Sequence, residues 1–240
     1  MEKGAAFADS FVQSSVPFPS TVAKTELENY FDAHDKGAGI WKYRHYFPIY
    51  ERHFRKFRGE EVHILEIGVY SGGSLEMWRH YFGEGAFIYG VDINESCRVY
   101  ENHYTRIDIG DQASRAFWAT FRQKHPRIDI IIDDGGHEFD QQRVTFEEMF
   151  PHLQPGGIYL CEDLAGVNNP FVAYLQGFAA YLNTFNWNVA EEVSATPTPL
   201  QANVSCLHFY PFVAVAEKRE TPLEKFSAPR RGTQWQPFLR

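Results

Sequence analysis

Acidic side chains, glycines and a histidine recur along the chain, and each group stands directly after a run of apolar residues. In chain order these residues are Glu66 with Gly68, Tyr70, Ser71, Gly72 and Gly73; Asp92; Asp111 and Gln112; Asp133, Asp134 and His137; and Glu162 and Asp163. Carboxylates that meet at one point can hold a divalent cation, and an imidazole beside them can take a proton. This chemistry needs a fold that brings all five groups together.

The apolar runs predict such a fold, because each has the length of a buried strand. The predicted strands are Val62–Ile67, Phe87–Asp92, Tyr104–Ile109, Ile128–Asp133 and Gly157–Cys161, and the predicted helices that alternate with them are Ser74–Phe82, Ser114–Lys124 and Asp140–Phe150, followed by one with Phe171, Leu175, Phe178 and Leu182 on one face. Alternating strands and helices predict a parallel sheet with right-handed crossovers. Ligands bind beyond the carboxyl ends of the strands in such sheets, which is where the five groups lie.

The flanking regions carry further elements. A helix is predicted from Thr21 to Phe31 with Ser20 as its N-cap, and a second helix within the aromatic stretch Trp41–Phe57. Val204–Tyr210 and Val213–Glu217 predict an antiparallel hairpin at the sheet edge. We divide the chain into an N-terminal arm and helical segment (1–60), a ligand-binding domain (61–218) and a basic tail (219–240).

Composition excludes several classes of protein. The 240 residues carry 23 Lys and Arg against 31 Asp and Glu, a net charge of −8 that argues against nucleic-acid binding. The three cysteines form no paired motif, which favours a reducing compartment and the cytoplasm. We find no apolar run of membrane-spanning length and no secretory signal, so we expect no membrane partner.

The turn after the first strand is glycine-rich, so that a ligand can approach its backbone closely. It lacks the G-x-G-x-x-G pattern of dinucleotide-binding proteins, which argues against an oxidoreductase that uses a nicotinamide cofactor. Glu66, just before this turn, suits a cationic group of a ligand. Asp92, at the end of the second strand, is placed to accept hydrogen bonds from ribose hydroxyls.

Asp134, Glu162 and Asp163 follow two strands that we expect to be neighbours. Adjacent strands lie about 4.8 Å apart, so these carboxylates can converge on one cation. An all-oxygen ligand set favours Mg²⁺, Mn²⁺ or Ca²⁺ over zinc. His137 lies three residues after Asp134 and is placed to act as a general base on a hydroxyl group beside that cation.

The chain resembles the class I S-adenosylmethionine-dependent methyltransferases, and within them the metal-dependent sugar O-methyltransferases of natural-product pathways and the related cephalosporin-hydroxylase-like group. The resemblance covers roughly residues 36–164. It rests on Asp35-Lys36-Gly37, His45 to Phe54, Glu66 to Met77, Gly110-Asp111-Gln112, Ile131 to His137 and Gly156 to Leu164. Tyr70 departs from it, because the general methyltransferase motif has glycine at that position.

The resemblance implies an α/β, Rossmann-like methyltransferase fold with an antiparallel edge hairpin and helices on both faces. It implies that Glu66 and the turn through Gly73 hold the methionine part of S-adenosylmethionine, that Asp92 takes the ribose, and that Asp111 and Gln112 lie by the adenine, with Asp133 also in the cofactor site. It implies Mg²⁺ at Asp134, Glu162 and Asp163, where Asp134 and His137 form the catalytic centre. It further implies a homo-oligomer.

The acceptor is less defined. We expect a sugar hydroxyl of a glycosylated natural product or an oligosaccharide, with His45, Tyr46 and Tyr50 as candidate substrate residues. Two alternatives stay open. A catechol presents vicinal oxygens to a metal as a sugar diol does, and a scaffold could bind the cofactor without catalysis.

Overall fold

The computed structural model describes residues 8, 23–184, 194–229 and 231–232. Within these ranges α-helices are formed by α1 (Glu26–Ala33), α2 (Phe47–Phe54), α3 (Gly73–Phe82), α4 (Arg115–Lys124), α5 (Phe139–Met149), α6 (Pro170–Tyr181) and α7 (Pro199–Asn203). Short 3₁₀ helices cover Arg44–Tyr46, Arg55–Phe57 and Glu95–Tyr100.

The strands are β1 (Val62–Ile67), β2 (Ala86–Asp92), β3 (Thr105–Ile109), β4 (Ile130–Asp133), β5 (Ile158–Cys161), β6 (Ser194–Ala195), β7 (Val204–Tyr210), β8 (Val213–Lys218) and β9 (Phe226–Ser227). Seven of them form one sheet in the order β3-β2-β1-β4-β5-β8-β7, and β6 pairs with β9. Strands β1 to β5 run parallel, while β7 and β8 are antiparallel to their neighbours. The fold class and the edge hairpin are therefore as predicted.

Helices cover both faces of the sheet, and each face has its own apolar core. Helices α1, α2 and α3 pack on one face around buried Trp78 and Tyr50, and we call this the first face. Helices α4, α5 and α6 pack on the opposite, second face around Trp118 and Phe146. Because side chains alternate along a strand, neighbouring residues at a strand end point to different faces.

Register places the ends of the central strands side by side. Ile67 of β1 lies opposite Asp133 of β4, and Asp133 lies opposite Cys161 of β5. Glu162 and Asp134 therefore follow adjacent strands at the same edge of the sheet. The predicted neighbourhood of these two acids is confirmed.

The N-terminal helix differs from its prediction. It begins at Glu26 rather than Thr21, because Thr25 forms a capping box with Glu28 and residues 23–25 are not helical. Ser20, its expected cap, and most of the arm (1–20) lie outside the described residues. Helix α7, the small β6–β9 sheet and the 3₁₀ helix Glu95–Tyr100 were not predicted. No described helix has the length and apolarity that a membrane crossing requires.

Candidate active site

A cavity of about 530 Å³ opens at the carboxyl ends of the parallel strands, within the usual size range of small-molecule sites. Its wall includes four groups that the sequence singled out: the glycine turn after β1, Asp92, the Asp111-Gln112 pair, and the residues that follow β4 and β5. The predicted site residues on this wall are Gly68, Tyr70, Ser71, Asp92, Asp111, Gln112, Asp134, His137, Glu162, Asp163 and Tyr46.

The glycine turn is held by contacts that no other residue type permits. Gly68 has φ of 87°, and a Cβ atom there would lie 1.9 Å from the carbonyl oxygen of Asp134. Asp92 fixes the next two residues, since its Oδ2 accepts hydrogen bonds from the backbone N–H groups of Val69 and Tyr70 at 3.0 and 3.1 Å. The turn and the end of β2 thus form one rigid wall of the cavity.

Three cavity residues other than glycine have left-handed backbone conformations. They are Tyr70 (φ 48°), His137 (φ 59°) and Asp163 (φ 56°). Such conformations cost roughly 1–2 kcal/mol for a residue with a Cβ atom, and they concentrate at functional sites. Tyr70, which departs from the glycine of the general methyltransferase motif, combines this left-handed conformation with a side chain at the surface, and the residue is 74% exposed.

Asp111 and Gln112, in the loop that follows β3, form another part of the cavity wall. Asp111 is exposed, and its Oδ1 accepts a hydrogen bond from the backbone N–H of Ala113 at 2.8 Å. Gln112 is buried, donates to Asp133 Oδ1 at 3.0 Å and accepts from the backbone N–H of Gly136 at 2.8 Å. Gln112 therefore ties the loop after β3 to the loop after β4.

Asp133 does not line the cavity. Its carboxylate is 1% exposed on the second face of the sheet, where Tyr159 donates to Oδ2 at 2.6 Å. Burial raises the pKa of this carboxyl group, although the hydrogen bonds from Tyr159 and Gln112 oppose the rise. The structure thus gives Asp133 a role in holding Gln112, and it shows no cavity surface through which Asp133 meets a ligand.

At the other end of the cavity, Asp134, His137 and Asp163 converge. His137 Nε2 lies 3.9 Å from Asp134 Oδ1 and 3.9 Å from Asp163 Oδ2. One donor atom from each residue falls within 4.8 Å of the others, which is close enough to share a cation. The imidazole side chain is 40% exposed, so a ligand in the cavity can reach it.

A lysine that no sequence pattern singles out also lies at this centre. Lys42 Nζ donates to Asp134 Oδ2 at 2.6 Å and to Glu162 Oε2 at 2.9 Å, and it lies 3.8 Å from Glu66 Oε1. Its side chain is only 3% exposed. Lys42 lies in an aromatic loop before the first strand, where no spacing rule marks a lysine as buried.

The alternation of side chains explains which acids Lys42 meets. Glu66 and Glu162 both point to the first face, where the loop that carries Lys42 passes. Burial alone would lower the pKa of Lys42, but the charges of Glu162, Asp134 and Glu66 outweigh it and raise this pKa. Burial raises the pKa of Glu162, against the opposing charge of Lys42. Lys42 thus compensates the most deeply buried acids of the site.

Glu66 is completely buried and is not part of the cavity wall. Its Oε2 accepts a hydrogen bond from Ser74 at 2.8 Å, and its Oε1 has no hydrogen-bond partner among the described residues. Burial raises the pKa of its carboxyl group, while Lys42 opposes the rise. Gly72 and Gly73 are also absent from the wall; Gly73 packs under the carbonyl groups of Ala38 and Gly39.

The three candidate substrate residues take different places. Tyr46 lines the cavity and donates to Asp163 Oδ1 at 2.6 Å. Tyr50 has no exposed surface and donates to Glu162 Oε1 at 2.7 Å. His45 is exposed outside the cavity wall, 3.0 Å from the carbonyl oxygen of Pro211. Tyr46 and Tyr50 thus position acids of the site, and of the three only Tyr46 lines the cavity.

The donor set fits Mg²⁺ with one change from the sequence prediction. Asp134 Oδ1 and Asp163 Oδ2 face the cavity beside His137, whereas Glu162 has both oxygens engaged by Tyr50 and Lys42. Mg²⁺ is usually bound through one or two carboxylates and keeps several waters. Asp134 and Asp163 satisfy this requirement without Glu162, whose predicted place among the ligands stays a prediction.

The strand order, the glycine turn after β1 and the acids after β2, β4 and β5 together define a Rossmann-like methyltransferase fold. In agreement, residues 65–164 match a family described as "Methyltransferase domain". Residues 65–164 of this chain are thus similar to a methyltransferase domain.

Among methyltransferases, the chain is similar to named O-methyltransferases. The chain is 40% identical over 146 residues to demethylmacrocin O-methyltransferase of Streptomyces fradiae, a match that covers 58% of this chain and 35% of the relative. It is 35% identical over 201 residues to 8-demethyl-8-alpha-L-rhamnosyl tetracenomycin-C 2'-O-methyltransferase of Streptomyces olivaceus, which covers 76% of this chain and 52% of the relative.

A solved structure agrees with these matches. The MycE methyltransferase of the mycinamycin pathway, in complex with Mg, SAH and mycinamycin VI, aligns with a TM-score of 0.64 at 30% identity, over 81% of this chain and 53% of that one. The resemblance to the sugar O-methyltransferases of natural-product pathways is confirmed. The chain spans about a third to a half of the length of these relatives.

Proposed function

We propose that this protein transfers a methyl group from S-adenosylmethionine to a hydroxyl group of a sugar, with Mg²⁺ bound beside the acceptor. One observation carries the proposal: a single cavity is lined both by the glycine turn with Asp92, which we call its cofactor end, and by Asp134, His137 and Asp163, its acceptor end. A methyl donor and a hydroxyl acceptor need this arrangement, because the two reacting atoms must meet in line.

The cofactor end has the groups that a nucleoside requires. Asp92 Oδ2 already accepts two backbone N–H groups, whereas Oδ1 accepts one, from Asn94, and keeps a second lone pair for a ribose hydroxyl. Asp111 and Gln112 lie on the wall next to it, at the place proposed for the adenine. Tyr70 and Ser71 of the glycine turn also line the cavity. When bound, S-adenosylmethionine supplies a methyl group on a sulfonium sulfur.

At the acceptor end, Asp134 and Asp163 would hold the cation and His137 would act as the base. Mg²⁺ held by these two carboxylates would supply positive charge that stabilises an alkoxide as it develops. His137 Nε2 accepts the hydroxyl proton as the oxygen–carbon bond forms and the carbon–sulfur bond breaks, which leaves S-adenosylhomocysteine and a methyl ether. A positioned base of this kind contributes about 10²–10⁴-fold.

The names of the relatives favour a sugar over a catechol as the acceptor. The Streptomyces olivaceus relative is named for a rhamnosyl substrate, and MycE was crystallised with mycinamycin VI. In this chain Trp41 and Tyr43 line the cavity and are 85% and 54% exposed, so that they present aromatic faces on which a sugar ring can pack. The proposed acceptor is therefore a glycosylated natural product or an oligosaccharide.

The experiment is a methyl-transfer assay with labelled S-adenosylmethionine on parallel panels of deoxysugar glycosides and catechols, with Mg²⁺ or EDTA. We expect labelled glycosides and loss of label in EDTA. Label on catechols but not on glycosides would show that the acceptor is a catechol rather than a sugar. Full activity in EDTA would overturn the role of the metal. Cofactor binding with no transfer to either panel would support a scaffold without catalysis.

Three further proposals accompany this function. The negative net charge supports a protein that does not bind nucleic acid, and the sparse cysteines support a location in the cytoplasm. We also propose a homo-oligomer, as the resemblance implies. Light scattering of the purified protein tests this last point, and a monomer mass at assay concentration would contradict it.

A further inference from the structure

A second group of metal-binding side chains lies outside the active-site cavity, where helix α2 packs against the edge hairpin. Its members are His53 from α2, Cys206 and His208 from β7, and Glu217 from β8. One donor atom from each of His53, His208 and Glu217 falls within 4.8 Å of the others. Cys206 Sγ lies next to this group, 3.2 Å from His208 Nε2, and is a candidate fourth donor.

The fold brings these residues together through strand geometry. Cys206 and His208 are two residues apart in β7, so their side chains share one face of the sheet. Cys206 lies opposite Glu217 of β8, directly after an irregularity in register between Val204 and Cys206. Bulges of this kind re-aim side chains, and here the strand directs Cys206 and His208 toward α2.

We propose that His53, Cys206, His208 and Glu217 form a binding site for Zn²⁺ that is separate from the Mg²⁺ site. Two imidazoles, a thiolate and a carboxylate are the ligand types of zinc, and Mg²⁺ avoids nitrogen and sulfur. His208 Nε2 lies 3.4 Å from Glu217 Oε1, and 3.2 Å from Cys206 Sγ. The edges of a tetrahedral zinc site are roughly 3.3–3.7 Å for bonds of 2.0–2.3 Å, so both contacts already have about this length.

The surroundings of His53 match those of a metal ligand. Its Nδ1 faces the cluster, 2.7 Å from Glu217 Oε1, while its Nε2 lies 2.9 Å from the hydroxyl oxygen of Tyr210. Histidines that bind metals almost always donate their other ring N–H group to an acceptor, which fixes the ring. The side chain of His53 is 2% exposed, so its orientation is set by packing.

The site has a consequence for the active site, because α2 is shared. Tyr50, one turn before His53, holds Glu162, and a zinc ion at His53 would fix the helix to the β7–β8 hairpin. The role is structural, since the cluster lies apart from the cavity wall. Binding to the folded state alone would raise the stability of the protein.

The test uses the full chain, purified without a polyhistidine tag, stripped with a chelator and then given ZnCl₂. We expect one tightly held zinc per chain by elemental analysis after gel filtration, and a higher melting temperature. Cobalt in place of zinc should show a thiolate charge-transfer band. In the variants His208→Ala and Cys206→Ser, zinc affinity should fall at least roughly tenfold, and the band should vanish in Cys206→Ser.

Matched controls separate this site from others. His103→Ala removes an exposed histidine and Cys97→Ser a buried cysteine, and both should keep zinc and the band. Asp163→Asn, which alters the proposed Mg²⁺ site, should also keep them. No zinc in the wild-type protein, equal zinc in His208→Ala and Cys206→Ser, or loss of zinc in Asp163→Asn would each overturn the proposal. Circular dichroism confirms that each variant is folded.

Discussion

Lys42 Nζ lies 2.6 Å from Asp134 Oδ2, so a buried ammonium group occupies one side of the carboxylate that the sequence assigns to a metal. The opposite oxygen, Oδ1, faces His137 and the cavity. Asp134 is therefore shared between a fixed cation of the protein and the place proposed for Mg²⁺. Positive charge on either side of Asp134 would offset the electrostatic repulsion among the neighbouring carboxylates.

Replacing Lys42 should make the protein depend on Mg²⁺ for stability. Lys42→Met leaves Glu66 and Glu162 buried without their counter-charge, and breaking a buried pair in this way costs about 3–5 kcal/mol. We expect Lys42→Met to have a lower melting temperature than the wild type in EDTA. Adding Mg²⁺ should raise the melting temperature of the variant by more than it raises that of the wild type. The control is Lys56→Met, which loses a hydrogen bond to the carbonyl oxygen of Gly156 and a cation–π contact with the ring of Phe57. An equal effect of Mg²⁺ on both variants would contradict the shared-carboxylate account.

Removing the Tyr46 hydroxyl should weaken metal binding while the cofactor still binds. Tyr46 donates to Asp163 Oδ1 and accepts from the backbone N–H of Asp163 at 3.3 Å, so it holds this ligand in its left-handed conformation. Partners of this kind are typically worth 10–100-fold in metal affinity. For Tyr46→Phe we expect about a tenfold higher Kd for Mg²⁺ by calorimetry, with an unchanged Kd for S-adenosylhomocysteine. Unchanged Mg²⁺ affinity would remove Tyr46 from this role.

Loss of the His137 imidazole should slow methyl transfer. The expected fall in kcat for His137→Ala is about 10²–10⁴-fold, because the hydroxyl group then loses its proton acceptor. His45→Ala provides the comparison, since His45 also carries an exposed imidazole near the acceptor end but does not line the cavity. A kcat for His137→Ala equal to that of His45→Ala would show that another group accepts the proton.

Stability in acid should depend on Asp108. Burial by itself would raise the pKa of Asp108. Hydrogen bonds from His125 at 2.7 Å and from Lys124 outweigh burial and lower this pKa below its ordinary value of 3.8. The folded state then holds fewer protons than the unfolded state, so this contribution is present above pH 3.8 and is lost as the pH falls below it. The Asp108 side chain is 14% exposed, and with a discount for solvent screening Asp108→Asn should cost about 1 kcal/mol at pH 7.

Urea unfolding of wild type and Asp108→Asn at pH 7 and at successively lower pH measures this contribution. The difference in free energy of unfolding should shrink as the pH falls through the titration of the carboxyl group. A difference that stays constant over this range would show that the asparagine acts through packing rather than charge.

The alternation of apolar strands and helices predicted the sheet because each strand is buried on both faces and reads as a continuous apolar run. The acids could be assigned to the strand ends because each continuous apolar run stops where its strand stops. The sequence could not tell which face each acid takes when two stand together. Asp133 and Asp134 differ by one residue, yet the first is buried against Tyr159 and the second reaches the cavity.

Lys42 was beyond prediction for a different reason. Its position depends on how the loop after α1 folds back over the ends of β1 and β5, and a long-range contact of this kind leaves no local pattern. The start of α1 differs from the prediction because Ser20 and Thr25 are both good N-caps. The spacing of Thr25 and Glu28 is the sequence signal that separates them, since it permits a capping box, whereas Ser20 has Ala23 at the corresponding position.

The central claim is that the cavity between the glycine turn and Asp134 binds S-adenosylmethionine. Calorimetric titration of the chain with S-adenosylmethionine in Mg²⁺ buffer, with S-adenosylhomocysteine as a control ligand, tests it without knowledge of the acceptor. We expect one-to-one binding of both ligands in the micromolar range, with loss of binding in Asp92→Ala and retention in His103→Ala. No binding of either ligand to the folded wild-type protein would contradict it.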